Sequence, residues 1–190
     1  GGGEEFGFRP GGWRRGPVDQ AGEDHEVRVR IALDDAFRGA ERTLNLDVRE
    51  RGPDGRVRAK PRSLQLKIPA GVTNGQRIRL AGQGSPGVGR GGSGDLYLLV
   101  ELEPHARFRV AGRDLYTDLP VAPWEAALGA TITLPTLAGT VSLSVPPGAS
   151  SGQKLRLRGS GLPNPSGAPG DLYVEVRIVT PKKTSAAERQ

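Results

Sequence analysis

The chain has 190 residues, of which 35% are hydrophobic and 5% aromatic, and it carries a net charge of +6 with no cysteine. This composition excludes disulfide bonds, and two histidines without cysteine cannot supply the usual thiolate and imidazole ligands of a structural zinc site. The longest apolar stretches are strand-sized, so neither a transmembrane span nor a secretory signal is expected, and the expected location is cytoplasmic.

The first predicted element is a flexible linker over residues 1–22, because a glycine-rich stretch with isolated aromatic residues cannot repay the entropy of ordering. From Val27 the segment VRVRIAL alternates apolar and polar residues, which predicts a half-buried strand. The same alternation predicts further strands in TLNLDV, SLQLKIP, QRIRLAG, DLYLLVELE, TITLP, TVSLSVP, KLRLRG and DLYVEVRIV. Two segments favour one helical turn each: DDAFRGA, with Asp34 at the N-cap, and PWEAALGA, with Pro123 in the first turn and Gly129 as terminator.

The chain also repeats itself. IPAGVTNGQRIRLAGQG at 68–84 matches VPPGASSGQKLRLRGSG at 145–161 with an offset of 77, whereas IALDDAFRGA from Ile31 matches VAPWEAALGA from Val121 with an offset of 90. The difference predicts about 13 additional residues in the first copy, near DVRERGPDGRVRAK at 47–60. We therefore predict an all-β fold of two tandem, similar small β-sandwich-like domains with one short helix each. The predicted domains are residues 23–112 and 113–181, followed by a tail at 182–190.

The polar motifs favour structural roles over catalysis. Asp95 and Asp171 each follow a glycine and precede Leu-Tyr, which predicts that they accept backbone N–H bonds at a turn. GVGRGG from Gly87 has the spacing of a dinucleotide-binding loop, but the following segment is a strand and not a helix, which favours a mobile loop between strands. His25 and His105 have no nucleophile or second ligand beside them in the sequence, so surface roles are expected. No enzymatic activity, metal or cofactor is predicted.

The basic and acidic residues, 27 and 21, are interspersed along the chain, which favours an ordinary mixed surface, so no nucleic-acid partner is expected. The prediction is an interaction protein that binds extended segments at an exposed strand edge with apolar hollows beside it. A basic β-rich module that binds nucleic acid is the alternative from another class. A purely architectural tandem β-protein is a second alternative.

Together these segments resemble the C-terminal substrate-binding region of DnaJ-type (J-domain) co-chaperones. GRDLYTDLPVAPWEAALGATITLPTLAGTVSLSVPPGASSGQKLRLRGSGLP and GDLYVEVRI are similar to the second C-terminal domain of that family, VRVRIALDDAFRGAERTL to the start of the first, and the lead-in to its G/F linker. Because DVRERGPDGRVRAK stands where the larger class carries a cysteine-rich zinc module, the chain resembles the zinc-free class. The His-Pro-Asp triplet of the J-domain is absent from the sequence.

The resemblance implies a co-chaperone of protein folding and the stress response. Such a protein binds exposed hydrophobic segments of unfolded client proteins and presents them to a DnaK-type ATP-driven chaperone. Because the His-Pro-Asp triplet is absent, this chain by itself is expected to bind clients without stimulating ATP hydrolysis. The resemblance also implies a homodimer in the full-length protein, formed through a helix that would begin in the tail at 182–190, and no membrane partner. The implied peptide groove lies between the opening strand of the first domain and the strand after its helix, with the residues Val27, Val29, Arg42 (at the rim), Leu44, Leu46 and Leu98.

Overall fold

The computed structural model describes residues 19–180, with the backbone alone described for residues 48–51. Residues 1–18 of the predicted linker and the predicted tail at 182–190 lie outside the described residues. In chain order the elements are β1 (His25–Ile31), α1 (Leu33–Arg38), β2 (Ala40–Arg51), β3 (Val57–Ile68), β4 (Arg77–Leu80), β5 (Leu96–Leu102), β6 (Arg109–Ala111), β7 (Asp114–Val121), α2 (Pro123–Leu128), β8 (Ala130–Thr136), β9 (Gly139–Val145), β10 (Lys154–Leu157) and β11 (Leu172–Ile178).

The sheet topology repeats in the two halves of the chain. The first half has the sheet β1-β5-β4 and the two-stranded sheet β2-β3, and the second has β10-β11-β7-β6 and the two-stranded sheet β8-β9. We refer to β1 to β5 with α1 as the first copy, and to β7 to β11 with α2 as the second. In both copies the last strand lies between the first strand and the short fourth strand. The prediction of an all-β fold with two similar tandem parts and one short helix in each is confirmed.

The two helices occupy equivalent positions and have six residues each. Among the described residues no helix is long and apolar enough to cross a membrane. Pro123 and Gly129 begin and follow α2 as predicted. The prediction of Asp34 as an N-cap is wrong, because the cap position belongs to Ala32 and the helix begins at Leu33, whose side chain is 2% exposed. Burial of Leu33 starts the helix two residues earlier than predicted, which places Asp34 in the first turn.

The predicted insertion forms the outer part of the hairpin β2-β3. Each strand of this hairpin has twelve residues and each strand of the equivalent hairpin β8-β9 has seven. The connecting turn of β2-β3 is closed by a hydrogen bond from the Gly52 N–H to the Arg56 carbonyl at 2.9 Å, and the Asp54 carboxylate accepts the Arg56 N–H at 3.2 Å. The longer strands and the longer turn together account for the difference in offset between the two parts of the repeat.

The described residues divide into two compact units, the first made of residues 19–27 with 79–98 and the second of residues 28–78 with 99–180. In the first unit the loop after β4 is bonded to the chain that precedes β1: Gln20 and Val88 exchange two backbone hydrogen bonds of 3.0 and 2.8 Å. The Asp19 carboxylate also accepts the Arg90 N–H at 2.8 Å. The loop that contains GVGRGG is therefore tied to residues 19–22 by backbone hydrogen bonds. The domain boundaries given above stay predictions.

The core of the second unit joins α1 to the second copy. Leu33 of α1 belongs to the same buried cluster as Phe108, Leu162 and the inward residues of β7 and β11. The Arg38 guanidinium donates a hydrogen bond to the Leu137 carbonyl, in the turn between β8 and β9, at 3.0 Å. The helix of the first copy thus packs against the second copy, which orients the base of the hairpin β2-β3 directly after it.

Candidate peptide-binding site

The first strand, β1, has an open edge. It is the terminal strand of its sheet, with β5 on one side and no strand of the described chain on the other. The N–H and C=O groups of such an edge are available to an extended segment. In the second copy the equivalent strand β7 is paired with β6 over Asp114–Tyr116, and the Thr117 hydroxyl donates to the Arg107 carbonyl at 2.8 Å. The strand β6 therefore covers part of the β7 edge, whereas the equivalent edge of β1 in the first copy is open.

The two predicted residues on β1 differ in exposure. Val27 is half-buried and Val29 is buried, with 6% of its surface exposed. They alternate with the exposed Arg28 and Arg30, as the period of a strand requires. Val27 therefore presents some apolar surface next to the open edge, whereas Val29 belongs mainly to the core.

Leu44 and Leu46 on β2 are both half-buried and lie on one face of the hairpin. Leu44 stands opposite Leu64 of β3 in the register, and Leu64 is half-buried as well. Three leucines that retain exposed surface on one face form a small apolar area at the base of the hairpin. Leu98 on β5 is different, because none of its surface is exposed. Leu98 is therefore a core residue.

Arg42 is held by α1. Its guanidinium forms an ion pair with the carboxylate of Asp35, and its side chain remains 44% exposed. Arg42 also lines a cavity of about 460 Å³ at the base of the hairpin, together with Glu41, Thr43, Gln65, Leu66 and Lys67. Of the six predicted site residues, Arg42 is the one in the lining of this cavity. The sequence reasoning missed Asp35, whose only signal was its place in the helix before β2.

The two aspartates that precede Leu-Tyr have the structural role that was predicted. Asp95 accepts the Gly82 N–H at 2.9 Å and the Arg79 Nε–H at 2.8 Å. The bond from the Gly82 N–H, followed by the bond from Arg79, holds the pKa of Asp95 below its ordinary value. The bond with Asp95 in turn raises the pKa of Arg79. Asp171 has the same environment in the second copy, where the Gly159 N–H and the Arg156 guanidinium lower its pKa.

A second carboxylate completes each group, and the sequence reasoning did not find it. The Asp95 N–H donates to Asp24 Oδ1 at 2.6 Å, and the Asp171 N–H donates to Asp114 Oδ1 at 2.8 Å. Asp24 and Asp114 are 90 residues apart, which is the same offset that relates the two helices. This shared offset was the signal in the sequence by which the two carboxylates could have been found. Both groups close turns at strand ends, and neither points to acid-base chemistry.

The two histidines have neighbours that the sequence did not indicate. His25 Nε2 is within hydrogen-bond distance of the Ser85 hydroxyl, and the His105 ring packs against Phe108 with the centroids 5.1 Å apart. Both rings are half-buried. Within residues 19–180 no group of three or more His, Cys, Asp or Glu side chains is placed to hold a metal ion.

The duplicated sheets, with one helix in each copy, define a tandem β-domain protein. Residues 25–181 match the family model described as DnaJ C terminal domain, and the chain belongs to this family. The Curved DNA-binding protein of Coxiella burnetii (strain RSA 493 / Nine Mile phase I) is 50% identical over 181 residues, which are 94% of this chain and 56% of the relative. That of Pseudomonas syringae pv. tomato (strain ATCC BAA-871 / DC3000) is 45% identical over 97% of this chain and 59% of the relative. The chain thus spans little more than half the length of these relatives.

Proposed function

We propose that this chain is the client-binding region of a DnaJ-type co-chaperone, which holds exposed hydrophobic segments of unfolded proteins and presents them to a DnaK-type ATP-driven chaperone. The observation that supports this proposal most is the open edge of β1 in a chain of the DnaJ family. The partly covered edge of β7 favours the first copy over the second as the place of binding.

The physical requirements of the function suit such an edge. Main-chain hydrogen bonds contribute affinity whatever the client sequence, and apolar hollows prefer the Leu, Ile or Phe side chains that folded proteins bury. A micromolar dissociation constant corresponds to about 8 kcal/mol. A few apolar anchors of about 1.5 to 3 kcal/mol each, together with a short ladder of backbone bonds, reach that value after the ordering costs. Binding of this strength stays reversible, which hand-off requires.

In this proposal the six residues divide by exposure. Val27 provides apolar surface beside the open edge of β1, and Leu44 and Leu46 provide it on the hairpin, because all three are half-buried. Val29 and Leu98 are core residues of β1 and β5. Arg42 lies at the rim, where its ion pair with Asp35 orients the guanidinium.

The other attributes of the function are proposals of the same kind. We expect the full-length protein to form a homodimer, to work in the cytoplasm, to take part in the stress response and to require neither cofactor nor catalytic residue. They are supported by membership of the DnaJ family.

Suppression of aggregation tests the proposal. The protein is added to a chemically denatured substrate protein on dilution, and light scattering is recorded for the parent and for a Leu44→Asp, Leu46→Asp variant. We expect the parent to suppress aggregation and the variant to lose most of this effect, because two carboxylates would replace the apolar contact surface. A Leu44→Ser, Leu46→Ser variant adds no charge, so its loss of protection would be due to the missing apolar surface.

The matched control is Val57→Asp with Val88→Asp, which adds the same charge at two valines that are 57% and 59% exposed, one at the turn end of the hairpin and one in the loop after β4. Circular dichroism and thermal melting establish that each variant is folded. Equal protection by the folded Leu44, Leu46 variants and the parent would reject the groove. Absence of protection by the parent would favour an architectural role.

Nucleic-acid binding is the second candidate function, and one specific observation favours it. The two relatives described above are named Curved DNA-binding protein. The two functions respond differently to salt, because a protein that binds phosphates loses affinity steeply as salt rises, whereas capture of apolar segments persists. This candidate departs from the expectation of no nucleic-acid partner, which rested on the mixture of basic and acidic residues along the sequence and not on their distribution in the fold.

A further inference from the structure

The hairpin β2-β3 holds most of the excess positive charge of the chain. Residues 40–68 include eight basic and four acidic residues, a net charge of +4, whereas the whole chain has a net charge of +6. The equivalent hairpin β8-β9, residues 130–145, has no charged residue at all. Because the two hairpins share one place in a duplicated fold, packing within a copy does not require this charge.

The outer part of the hairpin stands apart from the rest of the sheet structure. β2 and β3 pair only with each other among the described strands. Beyond the pair Asp47 and Pro61 the register continues for four more pairs, to Arg51 and Val57, which adds about 13 Å before the turn. All residues from Pro53 to Pro61 are exposed. The turn and the β3 strand of this outer ribbon are therefore open to a partner.

Basic side chains follow one face of the ribbon. Arg58, Lys60 and Arg62 occupy alternate positions of β3, so they lie on the same face at intervals of about 7 Å. Arg58 and Lys60 are exposed and Arg62 is half-buried. Arg58 pairs with Asp54 at 3.0 Å, but its side chain remains 72% exposed, and an exposed ion pair of this kind is readily exchanged for another anion.

We propose that the outer hairpin, residues 47–62, is a β-ribbon that binds double-stranded DNA through its phosphates. This proposal rests on the second candidate function and assigns it to one element. A two-stranded ribbon fits the major groove, which is about 12 Å wide and about 8.5 Å deep. The basic face meets one phosphate backbone, and the open turn at residues 52–56 enters the groove. Contacts of this kind position a protein on DNA without selecting a base sequence.

The test is a titration of a fluorescent 24-base-pair duplex, followed by anisotropy at several salt concentrations between about 50 and 200 mM, a range in which phosphate contacts dominate the change in affinity. The hairpin variant is Arg58→Gln, Lys60→Gln, Arg62→Gln. The control variant is Arg90→Gln, Lys154→Gln, Arg158→Gln, which removes the same charge at three exposed residues of other elements. The expected result is a loss of about tenfold or more in affinity for the hairpin variant, with a salt slope smaller by about 2 to 3. The control variant should retain most of the affinity and most of the salt slope of the parent.

Each contrary result has its own meaning. If the parent binds no duplex, the nucleic-acid function itself fails. Two results would leave DNA binding in place but overturn its assignment to the hairpin. In the first, the hairpin variant binds the duplex as well as the parent does. In the second, the control variant loses as much affinity as the hairpin variant. Polyglutamate serves as a competitor at the same concentration of negative charges as the duplex. If polyglutamate displaces the duplex under these conditions, the hairpin is a site for acidic polypeptides instead. Replacement of residues 47–61 by the Leu137-Ala138 turn of the second copy should abolish DNA binding while protection of denatured substrates persists.

Discussion

The Arg156 guanidinium donates two hydrogen bonds to Asp171 Oδ2, at 2.9 and 2.6 Å, and this pair repeats the one between Arg79 and Asp95 in the first copy. In each copy the other carboxylate oxygen accepts a glycine N–H at a turn. The two groups hold the short fourth strand to the start of the last strand, so their loss should loosen the sheet rather than alter binding.

Substitution of Asp171 by alanine should therefore destabilise the protein. The change removes the acceptor of the Gly159 N–H and of the Arg156 guanidinium, so we expect the melting temperature to fall by a few degrees. Asp171→Asn keeps one acceptor oxygen and should cost less. Calorimetry of both variants checks the order of their melting temperatures. Equal melting temperatures for the parent and Asp171→Ala would contradict the structural role of Asp171.

The same carboxylates predict the pH dependence of stability. The pKa values of Asp95 and Asp171 are lowered in the folded state, so the folded protein binds fewer protons than the unfolded chain over the range between the two values. Their contribution is fully present above the ordinary aspartate pKa of 3.8 and is lost as the pH falls through the lower folded values. Urea titrations between neutral pH and about pH 3 should show this decline.

A variant with Asp95→Asn and Asp171→Asn is the control for that decline. Asparagine does not titrate, so the midpoint of unfolding in urea should be lower than in the parent at neutral pH and should fall less on acidification. Parallel curves for the parent and the variant would mean that other groups cause the acid sensitivity.

Gly71 should tolerate alanine less well than its repeat equivalent, Gly148. Both glycines have positive φ values, 89° and 75°, which costs a residue with a side chain about 1 to 2 kcal/mol. A Cβ atom on Gly71 would lie 2.2 Å from the Pro163 carbonyl oxygen, whereas one on Gly148 has open space. Chemical denaturation of Gly71→Ala and Gly148→Ala should show a clearly larger loss for Gly71, because backbone must move to accommodate the methyl group. Equal losses would indicate that the two chain segments separate easily.

Phe108 should be a major contributor to the core of the second copy. Its ring is 3% exposed and belongs to the cluster that contains Leu115 and Leu162. Phe108→Ala should lower the free energy of unfolding by about 3 to 5 kcal/mol. Trp124→Ala is the matched aromatic control, since Trp124 is 59% exposed and its removal should cost far less. Denaturation by urea measures both losses of stability, and a small effect at Phe108 would mean that the segment before β6 contributes little to this core.

Local patterns predicted much of the fold, because strand alternation and internal repetition are visible along one dimension of the chain. The segments around Leu44, Leu66 and Val174 alternate with period two, and they form β2, β3 and β11. The prediction for Asp34 failed since a preference for the cap position is small compared with the burial of Leu33.

The candidate site was less accessible to sequence reasoning. The alternation identified Val29 and Leu98 as inward residues, but it could not separate a groove from a core, because both require the same apolar side chains at the same spacing. The exposed fractions of Leu44 and Leu46 depend on what packs above them. The ion pair between Asp35 and Arg42 likewise depends on how α1 meets the hairpin.

The amino-acid sequence by itself determined the duplicated all-β architecture, the place of the additional residues in the first hairpin, and the turn roles of Asp95 and Asp171, since each of these follows from local spacing. Only the tertiary structure decided that β6 covers part of the β7 edge while the β1 edge stays open, and that four of the six excess positive charges lie on one hairpin that pairs with no other described strand. Strand edges and charged surfaces are formed by residues far apart in the chain, so their state depends on which elements the fold brings together.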